Sequence, residues 1–299
     1  MAVNEISNAF VKTYEANVLH LVQQKTSKLR RTVTEKSPGP TISHSFRVVS
    51  ARGAMTARTG VGTVAGKRTA TPYSDTVFND RICGSTPLGT ADSFSHAEAL
   101  RLITEPQSVL TQAQALQTGR QFDDTIVAAL FASAADNAGN ANAFPAANQL
   151  GGVAVAPSFS LVAQVRESAL EADIDPDEEM FFVCSPNFAV ALLSDAKATS
   201  IDYANARALM GGSIVQGWMG FTWIPTNRLT KPVAGPPAQV YGAAYTKDAI
   251  GMLVLQDVKV DVGQNPAAWF DTTIQTSIDI GCVRIQDAKV FRVHYLETN

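Results

Sequence analysis

Residues 104–132 read TEPQSVLTQAQALQTGRQFDDTIVAALFA, and this stretch predicts the longest helix of the chain. Thr104 followed three residues later by Gln107 matches a capping box, and Pro106 is typical of a first helical turn. An apolar face then recurs at helical spacing, formed by Val109, Leu116, Phe122, Ile126, Val127 and Leu130. About 26 helical residues span roughly 39 Å, so we expect a long strut.

A second helix is predicted near the amino terminus, over residues 5–33. Its apolar side chains recur three or four residues apart and include Ile6, Phe10 and Tyr14. Lysines and arginines follow near residue 30, where the helix dipole favours cations at a C-terminus. Pro38-Gly39-Pro40 prevents continuation of the helix.

Residues 43–84 predict an extended hairpin, because glycine, threonine, serine, valine and arginine dominate there. Between residues 50 and 72 large apolar side chains are scarce, and no acid occurs. The same segment carries four cations, Arg52, Arg58, Lys67 and Arg68. Such a segment buries too little apolar area to offset its own ordering entropy. We expect it either to be disordered or to lie on another molecule.

The rest of the chain predicts alternating helices and strands. Residues 128–157 are rich in small side chains and predict a loop or hairpin, and the four prolines in 225–237 predict another loop. Apolar periodicity predicts helices over 160–171 and from 185, and strands over 180–184, 218–224, 258–262 and 291–295. The predicted class is therefore α+β, with at least two lobes.

Charge is unevenly distributed along the 299 residues. Residues 1–72 carry 11 Lys and Arg against three Asp and Glu, whereas residues 73–299 carry 13 against 24. A basic arm of this kind predicts an acidic partner, either nucleic acid or the acidic remainder of a neighbouring copy. No apolar run approaches the ~20 residues that span a bilayer, and no signal peptide pattern opens the chain, so no membrane partner is expected.

Three segments approach functional motifs but each lacks a required residue. Residues 60–68 resemble a phosphate-binding loop, but Val61 and Arg68 stand where a glycine and a Ser or Thr are needed. Residues 211–215 lack the last glycine of a nucleophile elbow, and residues 173–184 lack the glycine and final acid of a calcium loop. The His and Cys spacings fit no metal site. We therefore predict no catalytic residue, no cofactor and no metal.

Asp123 and Asp124 on the long helix are adjacent acids, a pattern considered for paired catalytic carboxylates. Neighbouring side chains on a helix diverge by ~100°, so the pair does not share one site. A solvent-exposed face or a contact between subunits is the favoured interpretation.

Two patterns resemble those of tailed-bacteriophage major capsid proteins. The first is F-V-x-x-Y-x-x-N-V-x-H-L-x-Q-Q-K-x-S-x-L-R over residues 10–30. The second lies between residues 103 and 129 and comprises I-x-x-P-x-S, Q-A-x-A, G-R-x-x-D-D-x-I and A-A. Together they cover less than half of the chain. One departure is Ala132-Ser133-Ala134, which stands where a turn containing glycine is expected.

The resemblance implies the Hong Kong 97-like capsid fold. It divides the chain into an N-terminal arm (1–42), an extended loop (43–84), a peripheral domain with the spine helix (85–157), an axial domain (158–247) and a return to the peripheral domain (248–299). It also implies a structural protein that self-assembles into hexamers and pentamers of an icosahedral head. Its expected partners are further copies, the portal and scaffolding proteins, and packaged DNA on the inner face. Its expected location is the virion, after assembly in the host cytoplasm.

Two other functions stay open from the residues alone. One is a nucleic-acid-binding protein that uses residues 1–72, although this segment has few aromatic side chains for stacking on bases. The other is an enzyme whose site is assembled from scattered residues. For the capsid protein, the predicted subunit-interface residues are Ile6, Phe10, Tyr14, Arg52, Arg58, Lys67, Arg68, Asp123 and Asp124. A cross-link through Lys67, as in some capsids of this fold, has no supporting motif.

Overall fold

The computed structural model describes residues 24, 26–39, 41–49, 78–95, 106–194, 217–233 and 238–297. Three α-helices lie within this part of the chain: α1 (Pro106–Phe131), α2 (Phe159–Glu171) and α3 (Pro186–Ser194). The strands are β1 (Thr34–Lys36), β2 (Ser43–Val49), β3 (Phe78–Gly84), β4 (Thr86–Phe94), β5 (Ala134–Ala135), β6 (Ala141–Asn142), β7 (Gln149–Gly151), β8 (Met180–Cys184), β9 (Phe221–Pro225), β10 (Ala238–Thr246), β11 (Ile250–Asn265), β12 (Asp271–Arg284) and β13 (Val290–Glu297). The predicted α+β class is confirmed.

Helix α1 is the predicted strut, and its 26 residues match the expected length. Phe122, Ile126, Val127 and Leu130 are all buried. Phe122, Ile126 and Leu130 recur every four residues and Val127 lies beside them, so the four share one face, which packs against β12. Thr104, which begins the predicted capping box, lies outside the described residues.

Two larger sheets share one hydrophobic core. The first has the strand order β7-β13-β10-β8-β9, and the second has the order β1-β11-β12-β4. Every residue of β8 is buried, as its continuous apolar run predicts. The core joins apolar side chains of α1, α2 and α3 to both sheets. A separate small cluster consists of Phe46, Cys83, Ala134, Leu253 and Val283.

The predicted hairpin is confirmed for its stem. Strands β2 and β3 pair antiparallel, with Ser43 opposite Gly84 at one end and Val49 opposite Phe78 at the other. Residues 50–77, which carry the four predicted cations of the loop, lie outside the described part of the chain.

The prediction of a helix over residues 5–33 is wrong in its last part. Residues 26–29 are not helical, Arg30–Thr32 form a single 3-10 turn, and β1 follows from Thr34. The physical reason is that the backbone N–H groups of Lys28 and Leu29 donate to the side chain of Asp123 and not to carbonyls of a preceding helical turn. Residues 1–23 lie outside the described residues.

Most of the remaining predicted elements are confirmed. Helices α2 and α3 each begin within one residue of the expected start. Strands β8, β11 and β13 cover the three patterns predicted around residues 180, 260 and 293. Residues 218–220 form a 3-10 turn, so β9 begins only at Phe221. The small-residue segment contains the short hairpin of β5 and β6.

Candidate assembly surfaces

The carboxylate of Asp123 fastens the segment before β1 to the middle of α1. Asp123 is fully buried. Its Oδ1 accepts hydrogen bonds from the Ser27 hydroxyl at 2.5 Å and from the backbone N–H of Leu29 at 3.0 Å. Its Oδ2 accepts one from the Gln24 amide at 2.5 Å, and the N–H of Lys28 lies within 3.2 Å of both oxygens. Because hydrogen bonds to a carboxylate are stronger than neutral ones, this side chain holds the segment in place.

Gly119 lies one helical turn before Asp123 and makes room for the same segment. A Cβ atom at this position would lie 3.3 Å from the backbone nitrogen of Ser27 and 3.4 Å from the backbone of Thr26. Gly119 and Asp123 therefore act together, since the glycine allows the close approach that the carboxylate then secures. Both positions belong to the pattern of residues 103–129 that resembles capsid proteins.

Asp124 points elsewhere and forms an ion pair with Arg228, in the loop after β9. Both side chains keep about a third of their surface open. The enclosed carboxylate of Asp123, in contrast, presents no oxygen to a neighbouring subunit, so we drop Asp123 from the interface residues. Asp124 remains a predicted interface residue. Seven other predicted interface residues lie outside the described part of the chain: Ile6, Phe10, Tyr14, Arg52, Arg58, Lys67 and Arg68.

The hairpin stem exposes large apolar side chains at and beside its strands. Ile42, Val49 and Phe78 are all exposed. Arg47 pairs with Asp80 across the two strands at 2.9 Å, and its guanidinium lies 5.5 Å from the centre of the Phe78 ring. The stem is thus held by its own ladder and ion pair, and these three apolar side chains face solvent, whereas Phe46 and Cys83 of the same stem are buried.

The C-terminal end of α1 is capped by a buried arginine and not by the expected glycine. Arg284 is fully buried, and its guanidinium donates to the carbonyl oxygens of Leu130 at 3.2 Å and of Ala132 at 2.8 Å. It also donates to the Asn142 carbonyl at 3.2 Å. Carbonyls at a helix end have no partner within the helix, so Arg284 supplies the donors. The sequence does not predict this role, because a single arginine at the end of a strand of mixed polarity carries no local signal of it.

Strand β11 leaves the core in its second half. Residues 250–254 are buried, whereas residues 257–265 are all exposed. The alternating Val258, Val260 and Val262 predict a strand, which is confirmed, but all three valines are exposed. Lys259 and Asp261 between them form an ion pair at 2.9 Å. This exposed half of β11, together with the turn that follows it, is called the ribbon below (residues 257–270).

The tip of the ribbon presents two aromatic side chains to solvent. Trp269 is 96% exposed and Phe270 is 65% exposed. Both have left-handed backbone angles, with φ of 51° and 61°, a conformation that costs roughly 1–2 kcal/mol for a residue with a side chain. The turn is closed by the N–H of Phe270, which donates to the carbonyl of Asn265 at 3.0 Å. The chain thus holds an exposed aromatic pair in an unfavourable conformation, a combination typical of contact sites.

The described residues assemble no group of three or more His, Cys, Asp or Glu that fits a metal ion. In the acidic turn before β8, Glu178 pairs with Lys289 at 2.7 Å and Glu179 accepts from Thr222 at 2.9 Å. Burial raises the pKa of the Cys83 thiol to about 11 and that of Cys184 to about 12, which makes both poor nucleophiles. The near-miss motifs at 60–68 and 211–215 lie outside the described residues.

None of the helices in the described part of the chain is long and apolar enough to cross a membrane.

The described residues combine a 26-residue helix, an antiparallel hairpin and two sheets that share one core. The structural matches identify this arrangement as the Hong Kong 97-like capsid fold. The fold is similar to that of the cyanophage P-SCSP1u capsid, with a TM-score of 0.75 and 14% identity over 98% of this chain and 95% of that chain. A protein of Mycobacterium phage Che8 matches with a TM-score of 0.74 and 15% identity over 98% of both chains. The cyanophage Pam1 capsid matches with a TM-score of 0.73 and 13% identity over the full length of both chains.

The sequence profile of a family described as phage capsid protein matches residues 6–297. The chain therefore belongs to the phage capsid protein family, and it is a structural capsid protein of a bacteriophage. No curated protein sequence matches the chain.

Proposed function

We propose that copies of this chain assemble into hexamers and pentamers and thereby build the icosahedral head shell that encloses phage DNA. The observation that carries the proposal is the ribbon, whose aromatic tip and alternating valines are exposed in the single subunit. Isolated soluble proteins rarely expose contiguous large apolar side chains without a partner. A second copy of the same chain is the partner that a shell supplies.

The two aromatic side chains at the tip of the ribbon offer enough apolar area to contribute to the free energy of association. A Trp and a Phe bury 150–250 Å² each when fully enclosed, so Trp269 and Phe270 offer roughly 300 Å² of apolar area that a neighbour can cover. At about 25 cal/mol per Å² this corresponds to at most ~7.5 kcal/mol per subunit, before the entropy of association is subtracted. Such an area is small for a stable pair but sufficient when each subunit makes several contacts at once.

The arm and the extended loop complete the proposed contacts. We expect Ile6, Phe10 and Tyr14 to pack on a neighbour, and the four loop cations to lie against carboxylates such as Asp124. The proposed division is an arm over 1–42, an extended loop over 43–84, a peripheral domain over 85–157 with a return over 248–299, and an axial domain over 158–247. In this proposal the chain has no catalytic activity and no cofactor.

Further partners follow from the same proposal. The shell contacts DNA on its inner face without sequence specificity, and it meets the portal and scaffolding proteins during assembly in the host cytoplasm. The basic excess of residues 1–72 supports a contact with an acidic partner of this kind.

The test is assembly of the purified chain with substitutions at the tip. We expect the wild-type chain to form closed particles of repeated capsomers in electron microscopy. Trp269→Ser should reduce the yield of particles strongly while leaving the melting temperature of the unassembled subunit unchanged, because Trp269 contacts little within its own subunit. Trp269→Phe is the matched control and should retain most of the yield. A wild-type chain that stays monomeric at high concentration would refute the proposed function.

A further inference from the structure

Two arginines and one carboxylate join the hairpin to the end of α1. Asp287, in the turn between β12 and β13, accepts a hydrogen bond through Oδ1 from Arg284 Nε at 2.5 Å. Its Oδ2 accepts one from Arg81 Nη2, on β3 of the hairpin, at 2.8 Å. Because Arg284 also caps the last carbonyls of α1, a continuous path of charged hydrogen bonds runs from the hairpin to the helix. We call this path the relay (Arg81, Asp287 and Arg284).

The central carboxylate of the relay is itself held in place. The backbone carbonyl of Asp287 accepts a hydrogen bond from the Asn148 amide at 2.7 Å, and the same amide donates to the Val290 carbonyl at 3.1 Å. Arg284 is fully buried, and a buried cation needs its counter-charge. The side chain of Asp287 is therefore fixed relative to β12, β13 and the end of α1, whereas Arg81 belongs to the hairpin of β2 and β3.

Apart from the relay, the hairpin rests on a narrow base. Phe46 and Cys83 pack in the small cluster that is separate from the main core. The backbone of β3 approaches β12 so closely that a Cβ on Gly281 would lie 2.0 Å from the carbonyl oxygen of Gly84. This close approach fixes the position of one end of the stem. Arg81 lies three residues before Gly84 on β3, where its backbone forms an isolated β-bridge with Asp136, in the turn between β5 and β6. Its side chain adds the ion pair with Asp287, which ties β3 to the turn between β12 and β13.

We propose that Arg81 and Asp287 are positioning residues that set the direction of the extended loop relative to α1. The ion pair adds a side-chain attachment to the backbone contacts at Gly84 and Asp136, and each further attachment restricts rotation of the hairpin. The far end of the stem, at Val49 and Phe78, lies about 20 Å from the pair Ser43 and Gly84, at ~3.3 Å per residue. A rotation of ~10° at the base therefore displaces that end by roughly 3.5 Å, most of the 4.7–4.9 Å spacing between neighbouring strands. Such a shift would misplace the loop on a neighbouring subunit.

The consequence for assembly rests on the proposed function, so the test has one part that depends on assembly and one that does not. Arg81→Gln removes the hairpin side of the relay and leaves the pair of Arg284 and Asp287 intact. Arg47→Gln is the matched control, because it removes an arginine of the same hairpin whose partner, Asp80, lies within the hairpin. Arg81→Lys keeps the charge and should restore part of the effect.

The direct measurement is the distance between two spin labels in the unassembled subunit, by double electron–electron resonance. Labels on Val49→Cys, at the far end of the stem, and Val190→Cys, on α3, use two exposed positions. Burial raises the pKa of all three native thiols, so the labels attach to the introduced cysteines. We expect Arg81→Gln to broaden the distance distribution, Arg81→Lys to broaden it less, and Arg47→Gln to leave it as in the wild type.

The second measurement is light scattering with electron microscopy of the products. Arg81→Gln should slow assembly severalfold and give particles of mixed diameter, at a subunit melting temperature equal to that of Arg47→Gln. Unchanged distances in Arg81→Gln would overturn the proposal. So would a lowered melting temperature with an unchanged distribution, since Arg81 would then only stabilise the fold. If wild-type subunits form no particles, the proposed function fails, and the resonance distances still decide the role of the relay.

Discussion

Removal of the Asp123 carboxylate should detach the segment before β1 from α1. Asp123→Ala leaves the N–H groups of Lys28 and Leu29 and the hydroxyl of Ser27 without their acceptor. A buried donor that loses its partner costs about 1–3 kcal/mol. The bond of Leu29 is buried, whereas those of Ser27 and Lys28 are partly buried, so water recovers part of the cost at these two donors. We expect a loss of about 3–5 kcal/mol in the free energy of unfolding. At ~2 °C per kcal/mol for a chain of this size, the melting temperature falls by about 6–10 °C.

The neighbouring acid provides the matched control. Asp124→Ala makes the same chemical change on the same helix, but it removes only a partly exposed ion pair with Arg228, which contributes ~0–1 kcal/mol. Urea unfolding of unassembled subunits, followed by tryptophan fluorescence, measures both variants. Trypsin adds a local readout, because cleavage after Lys28, Arg30 and Arg31 should accelerate in Asp123→Ala alone. Equal losses of stability in the two variants, with equal cleavage, would refute the assignment of Asp123 as the fastening of this segment.

Two further predictions concern the hairpin and the loop. Gly281→Ala places a methyl group against the backbone of Gly84 and should lower the free energy of unfolding by about 1–3 kcal/mol. Gly263→Ala is the control and should be nearly neutral, because its methyl group meets open space. Thermal unfolding compares the two variants. The second variant replaces the four loop cations Arg52, Arg58, Lys67 and Arg68 by Gln and should slow the first phase of assembly in light scattering. Raising the salt concentration from 0.1 M to 1 M should slow it as well, because the Debye length shortens from about 10 Å to 3 Å. Finished shells should resist the salt, and an initial rate that responds to neither change would exclude an electrostatic role of the loop.

The regular elements could be predicted from the sequence because their signals are local. Helix α1 needs only the spacing of its apolar face, and β8 needs only its unbroken apolar run. The helix predicted up to residue 33 is wrong near residue 30 because the backbone N–H groups of Lys28 and Leu29 donate to the carboxylate of Asp123, more than 90 residues away along the chain. No local sequence pattern indicates a hydrogen-bond acceptor that lies so far away along the chain.

The candidate assembly surfaces were harder to predict than the fold. Alternation along β11 indicates a strand, but it does not distinguish a buried valine from the exposed Val260. Left-handed turns are normally signalled by glycine or asparagine, and Trp269 and Phe270 carry no such signal. Arg81, Asp287 and Arg284 are separated by up to 206 positions, so their relay exists only in the folded chain.

The ribbon must associate with a neighbouring copy without pairing indiscriminately. Strand β1 covers β11 only at residues 251–253, so within the described residues the outer edge of β11 has no strand beside it over 257–265. A bare edge strand is a template for aggregation unless charges or bulges interrupt it. Here Lys259 and Asp261 alternate with the valines, and the register of β11 on β12 shifts between Val254 and Lys259. These features disfavour edge-to-edge pairing along the strand, so the apolar contact is directed to the aromatic tip, where the backbone of Trp269 and Phe270 fixes its geometry.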